Sequence, residues 1–215
     1  MLLAIDTATV YSSIALHDGS VLRGECTWAS ADRHTATLLP RVTEMLDGAA
    51  VQMDGLTVLA VCVGPGSYTG VRIGVAAAKG LAAALHLPLV GISTLDILVA
   101  AQPRDDRPLY AVFSAGRKRL GYARYRCGND GWVAESAVIL ASWDEFTAQI
   151  EPPAIVVGEL GAARAGFDSS VEIPQSAWHL RRAGYLADLA WARLRSAGHG
   201  DPQFDPARVM PLYVQ

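Results

Sequence analysis

Two segments of the sequence carry residue types that can bind phosphate. Ile5-Asp6-Thr7-Ala8-Thr9 places a carboxylate and two hydroxyls directly after an apolar run, and Gly64-Pro65-Gly66-Ser67-Tyr68-Thr69-Gly70 links another apolar run to a helical pattern. In such turns the acid holds a metal ion or water, while backbone N–H groups and hydroxyls face the phosphate. The candidate remains of two phosphate-binding turns are therefore Asp6, Thr7, Gly64, Gly66 and Ser67.

Both segments depart from working phosphate motifs. The first has Ala8 where the close approach of backbone to phosphate favours glycine. The second has Val71 in place of the lysine of a P-loop, and its glycine spacing is not that of a dinucleotide fingerprint. A structural alternative stays open for each: Asp6 caps its own turn through its side chain, and Gly-Pro-Gly fixes a tight connection.

The residues that usually hold metals or act as nucleophiles are scattered. The five histidines show no HExxH or HxxxH spacing, and Cys26, Cys62 and Cys127 lie far apart. A catalytic zinc site needs three converging protein ligands. The sequence therefore predicts no catalytic residue, no metal site and no cofactor, with Cys62 a small buried apolar residue.

One basic run stands out, from Arg117 to Arg126, with five positive charges and no acid. Cationic and aromatic side chains on one strand suit contact with phosphate and stacking on bases. The alternative is a solvated edge hairpin whose charges prevent strand pairing with other molecules. The candidate nucleic-acid contacts are Arg117, Lys118, Arg119, Tyr122 and Arg124.

Composition limits the class of protein. The chain has 215 residues, is 51% hydrophobic and carries a formal charge of −3. These values exclude intrinsic disorder and argue against a protein that coats nucleic acid through overall basicity. No uninterrupted apolar run reaches the roughly 18–20 residues of a membrane span, and no signal peptide is visible at the start. We expect a cytoplasmic protein without a membrane role.

The elements that must position these residues repeat in order. Each half predicts three strands, a helix, a strand and a helix, which is typical of α/β layers with helices packed on a mixed sheet. The segment 102–108 is charged, contains two prolines and marks the expected boundary. We therefore expect an N-terminal lobe over 1–101, a linker over 102–108 and a C-terminal lobe over 109–215.

The predicted helices 34–47 and 71–85 carry more apolar and small residues than one sheet-facing stripe requires. We expect one face of each helix to cover the sheet and the other to bind a partner, ordinary core packing being the alternative. The candidate interface residues are His34, Leu38, Leu39, Val42, Leu46, Tyr68, Val71, Arg72 and Val75.

Several of these segments, taken together, resemble the bacterial TsaB (YeaZ) family. The resemblance is strong over 1–101, with its most specific run at Gly64 to Gly74, and returns in Val156-Val157-Gly158-Glu159 and the closing Met210 to Val214. It implies an actin/Hsp70/sugar-kinase-like fold of two related lobes. It also implies work on tRNA, beside a catalytic paralogue, TsaD, and an ATPase, TsaE, which place a threonylcarbamoyl group on N6 of the adenosine next to the anticodon.

The same resemblance indicates what the chain lacks. Thr94 and Leu98 stand where TsaD-like proteins have the two histidines of a metal motif, and a hydroxyl and an isobutyl group cannot replace two imidazoles on a transition metal. Ala115 and Leu120 replace two acids that the family usually has on its second-lobe hairpin. The sequence thus predicts a non-catalytic scaffold that pairs with TsaD, helps recruit TsaE, meets tRNA through the complex and forms a homodimer when TsaD is absent. The alternative is an ATP-dependent enzyme or a metallopeptidase-like hydrolase on the same fold.

Overall fold

The computed structural model describes residues 1–30, 34–116, 119–161, 166–198 and 200–214. The chain divides into two compact units. The first unit comprises Met1–Ile97 and Arg181–Leu212, and the second comprises Leu98–Leu180 and Tyr213–Gln215.

The first unit is built on a five-stranded mixed sheet in the order β3-β2-β1-β4-β5. Strand β2 runs antiparallel to both β1 and β3, and β4 runs parallel to both β1 and β5. Every residue of β1 and β4 is buried, as expected for central strands covered on both faces. The strands are β1 (Leu2–Asp6), β2 (Tyr11–His17), β3 (Leu22–Ala29), β4 (Val58–Cys62) and β5 (Leu89–Ile92).

The helices α1 (His34–Gly48), α2 (Tyr68–Leu85) and α5 (Ala183–Ala197) pack on this sheet, and α3 (Thr94–Ala100) follows β5. Ser67 caps α2 by accepting a hydrogen bond from the Gly70 N–H. The first N–H groups of α5 are satisfied by the sheet itself: Ala183 N donates to Ser13 Oγ, and Gly184 N donates to Glu25 Oε1.

The second unit repeats the topology of the first. Its sheet runs β11-β10-β6-β7-β8, with β9 also paired to β7. Strand β6 is antiparallel to β7 and parallel to β10, as β1 is to β2 and β4. The predicted repeat is therefore confirmed for the sheet topology, but the second unit has a fourth strand before its helix, and the helix expected at its end belongs to the first unit. The elements are β6 (Leu109–Gly116), β7 (Arg119–Gly128), β8 (Gly131–Ala134), β9 (Ile139–Ser142), α4 (Trp143–Gln149), β10 (Ala154–Gly158) and β11 (Val171–Glu172).

The expected lobe boundaries are wrong in two places. The division falls between Ile97 and Leu98, inside α3, and the expected linker 102–108 belongs to the second unit. Residues 181–212 belong to the first unit rather than to a C-terminal lobe over 109–215, because α5 buries Leu186, Ala190 and Leu194 in the core of the first sheet. A helical pattern gives the apolar face of a helix but not the sheet that the face covers.

The expected partner face of α1 and α2 is also wrong for most of its residues. Leu38, Val42, Leu46, Val71 and Val75 are all at most 4% exposed and lie in the core of the first unit. Apolar residues at i, i+4 and i+8 form the stripe that faces the sheet, so they are unavailable to a partner. The side chains that do face outward are Leu39, at 50% exposure, Tyr68, at 59%, and Arg72. The side chain of His34 lies outside the described residues.

The segment 132–140, whose sequence pattern predicts a single strand, contributes to two strands, β8 and β9, that pair with different parts of β7. Among the described residues, no helix combines the length and the apolar character that crossing a bilayer requires.

The inward and outward positions of α1 predict different costs of truncation. Replacing Leu38 with alanine should lower the free energy of unfolding by about 2–5 kcal/mol, because it leaves a cavity in the core. Replacing its neighbour Leu39 with alanine should change it by no more than about 0.5 kcal/mol. Urea denaturation followed by circular dichroism measures both, and equal losses at the two positions would contradict the orientation of α1.

Candidate functional site

A buried ion pair occupies the turn that follows β1. Arg181 Nε donates to Asp6 Oδ2 at 3.0 Å, and another guanidinium nitrogen of Arg181 donates to Thr9 Oγ1. The side chains of Asp6 and Arg181 are 2% and 5% exposed. The other carboxylate oxygen, Asp6 Oδ1, accepts the Ala8 N–H at 2.8 Å. The carboxylate thus caps its own turn and neutralises an internal cation, so both of its oxygens are engaged.

The glycine-rich loop packs directly against the same turn. Ser67 N donates to the Ala8 carbonyl at 2.7 Å, and Thr7 Oγ1 donates to the Gly70 carbonyl at 2.7 Å. A Cβ atom added at Gly66 or Gly70 would overlap the carbonyl oxygen of Ala8 or Thr7. These glycines therefore permit close contact between two backbone segments of the chain.

The structure brings the two candidate phosphate-binding segments together. Asp6 and Thr7 lie on one side of the contact, and Gly64, Gly66 and Ser67 lie on the other. Gly64 has a φ of 94°, a value that favours glycine, and its position also lies against the Leu212 carbonyl. Each polar group of these turns that is described above binds another part of the chain, which favours the structural alternative for both segments.

The two positions at which TsaD-like proteins have metal-binding histidines hold buried residues in this chain. Thr94 and Leu98 are at most 1% exposed, and the Thr94 hydroxyl lies 3.2 Å from Cys62 Sγ in a hydrogen bond. Burial, with a further contribution from the charge of Asp6, raises the pKa of the Cys62 thiol. Across the described part of the chain, no group of three His, Cys, Asp or Glu side chains is placed to hold a metal ion.

The second unit also has a contact between a carboxylate and the backbone near the end of β6. Ser114 N donates to Glu159 Oε2 at 2.8 Å, so a carboxylate of the chain takes the N–H that an anion would need. Gly158, with a φ of 119°, lies so close to the Val112 carbonyl that a Cβ atom would overlap it. The second sheet thus ends in a contact between two of its own segments, as the first sheet does.

The expected nucleic-acid surface on β7 is wrong for one of its residues. Tyr122 is 5% exposed and packs against Phe146 with ring centroids 4.7 Å apart, so its ring cannot stack on a base, and desolvation raises its pKa. Arg124 forms ion pairs with Glu135 at 3.3 Å and Glu151 at 3.0 Å, and solvent-accessible pairs of this kind are weak. Arg119 and Arg124 therefore stay predictions, while Arg117 and Lys118 lie outside the described residues.

Leu120, which replaces one of the acids usual in the family, and its neighbour Gly121 both pack in the interior of the second unit. Leu120 is fully buried in the core of the second unit, where an acid would be costly. Gly121 lies under the ring of Phe113, and a Cβ atom there would overlap it. The hairpin is therefore adapted to an apolar interior at these positions.

Sequence reasoning missed the residue that closes the first site. Arg181 lies 175 positions from Asp6, and no local motif connects them. One signal was present: Arg181-Arg182 comes directly before α5, and cations at a helix N-terminus oppose the helix dipole. Each arginine has a specific acidic partner, Asp6 for Arg181 and Glu25 for Arg182.

Comparison with known proteins gives the family. The family described as "TsaD: tRNA N6-adenosine threonylcarbamoyltransferase" matches residues 28–192. The "tRNA threonylcarbamoyladenosine biosynthesis protein TsaB" of Bacillus subtilis is 32% identical over 73% of this chain and 70% of its own length. The TsaB of Escherichia coli is 40% identical over 62% of this chain and 59% of its own length, so the matched region spans less than two thirds of that relative. The chain belongs to the TsaB (YeaZ) family.

A solved structure of the TsaB (YeaZ) family has the same fold. YeaZ from Pseudomonas aeruginosa superposes with a TM-score of 0.77 and 24% sequence identity, covering 99% of each chain. The expected actin/Hsp70/sugar-kinase-like fold, with two related lobes built on mixed sheets, is therefore confirmed.

The buried pair predicts a strong energetic coupling. Replacing Arg181 with methionine should lower the free energy of unfolding by about 3–5 kcal/mol, because it leaves the Asp6 carboxylate buried without a counter-charge. Replacing Asp6 with asparagine in the same chain should recover much of that loss, since an amide oxygen can still accept the Ala8 N–H. Thermal and urea unfolding of the two single variants and the double variant measure the coupling. Additive effects would show that the pair is not coupled.

Proposed function

We propose that this chain is a non-catalytic subunit in the biosynthesis of tRNA threonylcarbamoyladenosine. It pairs with a TsaD-like catalytic paralogue, helps recruit a TsaE-like ATPase and reaches tRNA through the complex in the cytoplasm. The names of the relatives support the pathway, and the match to the TsaD family supports a paralogous partner. The geometry of the site supports the non-catalytic role of this subunit.

The observation that carries the proposal is the Asp6–Arg181 ion pair. An acid that coordinates a metal ion beside a nucleotide must have free oxygens, and those of Asp6 are taken by Arg181 and the Ala8 N–H. The guanidinium supplies the positive charge that a metal ion would otherwise bring. Nucleotide binding at this turn would require the chain to give up a buried ion pair and the contacts of its glycine loop.

The partner surface is the outward face of α1 and α2, corrected from the predicted set. On α2 the exposed side chains are bulky near the N-terminus, at Tyr68 and Arg72, and small toward the C-terminus, at Ala76, Gly80 and Ala83. Arg72 lies over the Tyr68 ring, with Cζ 3.6 Å from the centroid, so these two side chains form one continuous bulky surface.

This gradient of size suits a partner helix that runs antiparallel to α2. The bulky end of one helix then meets the small end of the other, and small residues let two backbones approach closely. A paralogue with the same fold can present an equivalent helix, and so can a second copy of this chain. The arrangement therefore supports both pairing with the TsaD-like subunit and a homodimer in its absence.

Reconstitution tests the function. Purified TsaD-like and TsaE-like subunits with threonylcarbamoyl-AMP should modify tRNA when this chain is added and much more slowly without it, as measured by nucleoside mass spectrometry. The Asp6→Asn, Arg181→Met double variant should support modification as well as the native chain, at a temperature where both are folded. Hydrolysis of ATP by the isolated chain, or a requirement for the Asp6 carboxylate in modification, would favour the enzyme alternative.

The partner face predicts a separable binding defect. Replacing Tyr68 or Leu39 with glutamate should weaken pairing by about 30-fold or more if these residues are anchors of the interface, while the circular dichroism spectrum stays native. Isothermal titration calorimetry with the TsaD-like subunit measures the affinity, and light scattering measures the homodimer. The matched control is Ile139→Glu, an exposed apolar residue on β9 of the second unit. Native affinity in both Tyr68 and Leu39 variants would exclude this face.

A further inference from the structure

A small pocket in the second unit combines an exposed tryptophan with an excess of acidic groups. Its volume is about 140 Å³, and its polar and aromatic lining consists of Gln102, Asp105, Arg107, Glu172 and Trp178. Trp178 is 39% exposed. Drug-sized ligands use cavities of about 300–1,000 Å³, so this pocket can take only a compact group.

The charges in the pocket leave one negative charge unbalanced. Arg107 donates to Asp105 Oδ1 at 2.8 Å and Oδ2 at 2.6 Å, and to Glu172 Oε2 at 2.7 Å. The hydrogen bonds from Arg107 lower the pKa of Asp105 to about 2, so its carboxylate is ionised at neutral pH. The single guanidinium is therefore shared by two carboxylates, which makes the pocket unfavourable for an anion.

Acceptor atoms remain for a cationic donor. Glu172 Oε1 has no hydrogen-bond donor among the described residues, since Arg107 binds only Oε2. Gln102 is 8% exposed, and its Nε2 donates to the carbonyls of Leu98 at 3.1 Å and Trp178 at 2.8 Å. This fixes the amide plane, and Oε1 of Gln102 accepts no hydrogen bond from the described residues.

The third feature of the pocket is the aromatic residue Trp178. Among the described residues, no arginine or lysine lies over the Trp178 ring, and tryptophan is the ring that binds cations best. Leu109 and Ile155 form apolar parts of the lining. A partly desolvated setting strengthens both the cation–ring attraction and a charge-assisted hydrogen bond.

We propose that this pocket binds a compact organic cation, a guanidinium or alkylammonium group, which lies on the Trp178 ring and donates to the free oxygens of Glu172 and Gln102. The cation is either a small molecule or the side chain of an arginine or lysine in a peptide. The pocket is formed by residues of the second unit, whereas α1 and α2 belong to the first, so this proposal does not depend on the proposed function.

Nuclear magnetic resonance of the indole N–H groups tests the site in the full chain. The chain has five tryptophans, and a Trp178→Phe variant assigns the signal of Trp178. Methylguanidinium chloride should shift that signal along a saturable curve, while methylurea, which has the same shape without the charge, and sodium chloride at equal ionic strength should not. Equal effects of methylguanidinium and methylurea, or a shift that never saturates, would overturn the proposal.

Two variants that each remove one negative charge test whether the cation binds in this pocket. Glu172→Gln should weaken methylguanidinium binding by about fivefold or more, since it removes the unbalanced charge and one ionised acceptor. Glu151→Gln removes the same charge from a side chain of the second unit that does not line the pocket, and it should leave the affinity unchanged. Equal weakening by both variants would show a general charge effect and refute the site.

A blocked Gly-Arg-Gly peptide distinguishes the sources of the cation. Tighter binding of the peptide than of methylguanidinium, with the same loss in Glu172→Gln, supports an arginine side chain as the ligand. Binding of methylguanidinium without binding of the peptide supports a free small cation. Binding of neither probe refutes the proposal.

Discussion

The ion pair between Asp6 and Arg181 is the interaction on which the first unit depends. It joins the last residue of β1 to the first residue of the returning segment Arg181–Leu212. Both charges are almost fully buried, so neither can lose its partner without a large penalty. The adjacent Arg182 binds Glu25, and Ser13 and Glu25 accept the first N–H groups of α5. The helix that closes the core is thus positioned by polar contacts at one end.

The glycine loop can pack against the turn after β1 because glycines stand at the points of contact. Gly66 and Gly70 allow the backbone of the loop to touch the Thr7 and Ala8 carbonyls, and Gly74 continues the contact against the Thr7 side chain. The same glycines would suit a loop that approaches a phosphate, which is why the sequence leaves both interpretations open. Only the position of the opposing backbone decides between them, and that position results from the pairing of β1 with β2 and β4.

The sequence predicts the local elements better than their partners. Local features such as the Asp18-Gly19 turn, the capping box at Ser142 and Glu145 and the succession of strands and helices along the chain depend on patterns within a few residues. The sheet covered by α5 and the partner of Asp6 depend on residues more than 100 positions apart, for which one sequence has no signal. The sequence assigns the wrong face of α1 to a partner for another reason. An apolar stripe predicts that one face of a helix is buried, but the pattern is the same whether that face packs against the same chain or against a partner.

The two units each engage a carboxylate near the end of their first strand. In the first unit Arg181 binds the Asp6 carboxylate, and in the second the Glu159 carboxylate accepts the Ser114 N–H. These polar groups are thus satisfied from within the chain. In the first unit further contacts position α2: its inner residues lie in the core, the Gly70 carbonyl in its first turn accepts a hydrogen bond from Thr7, and Lys79 binds the Ala207 and Val209 carbonyls. On the proposed function, these contacts hold the outward face of α2 in place before a partner binds, so that less conformational entropy is lost on binding.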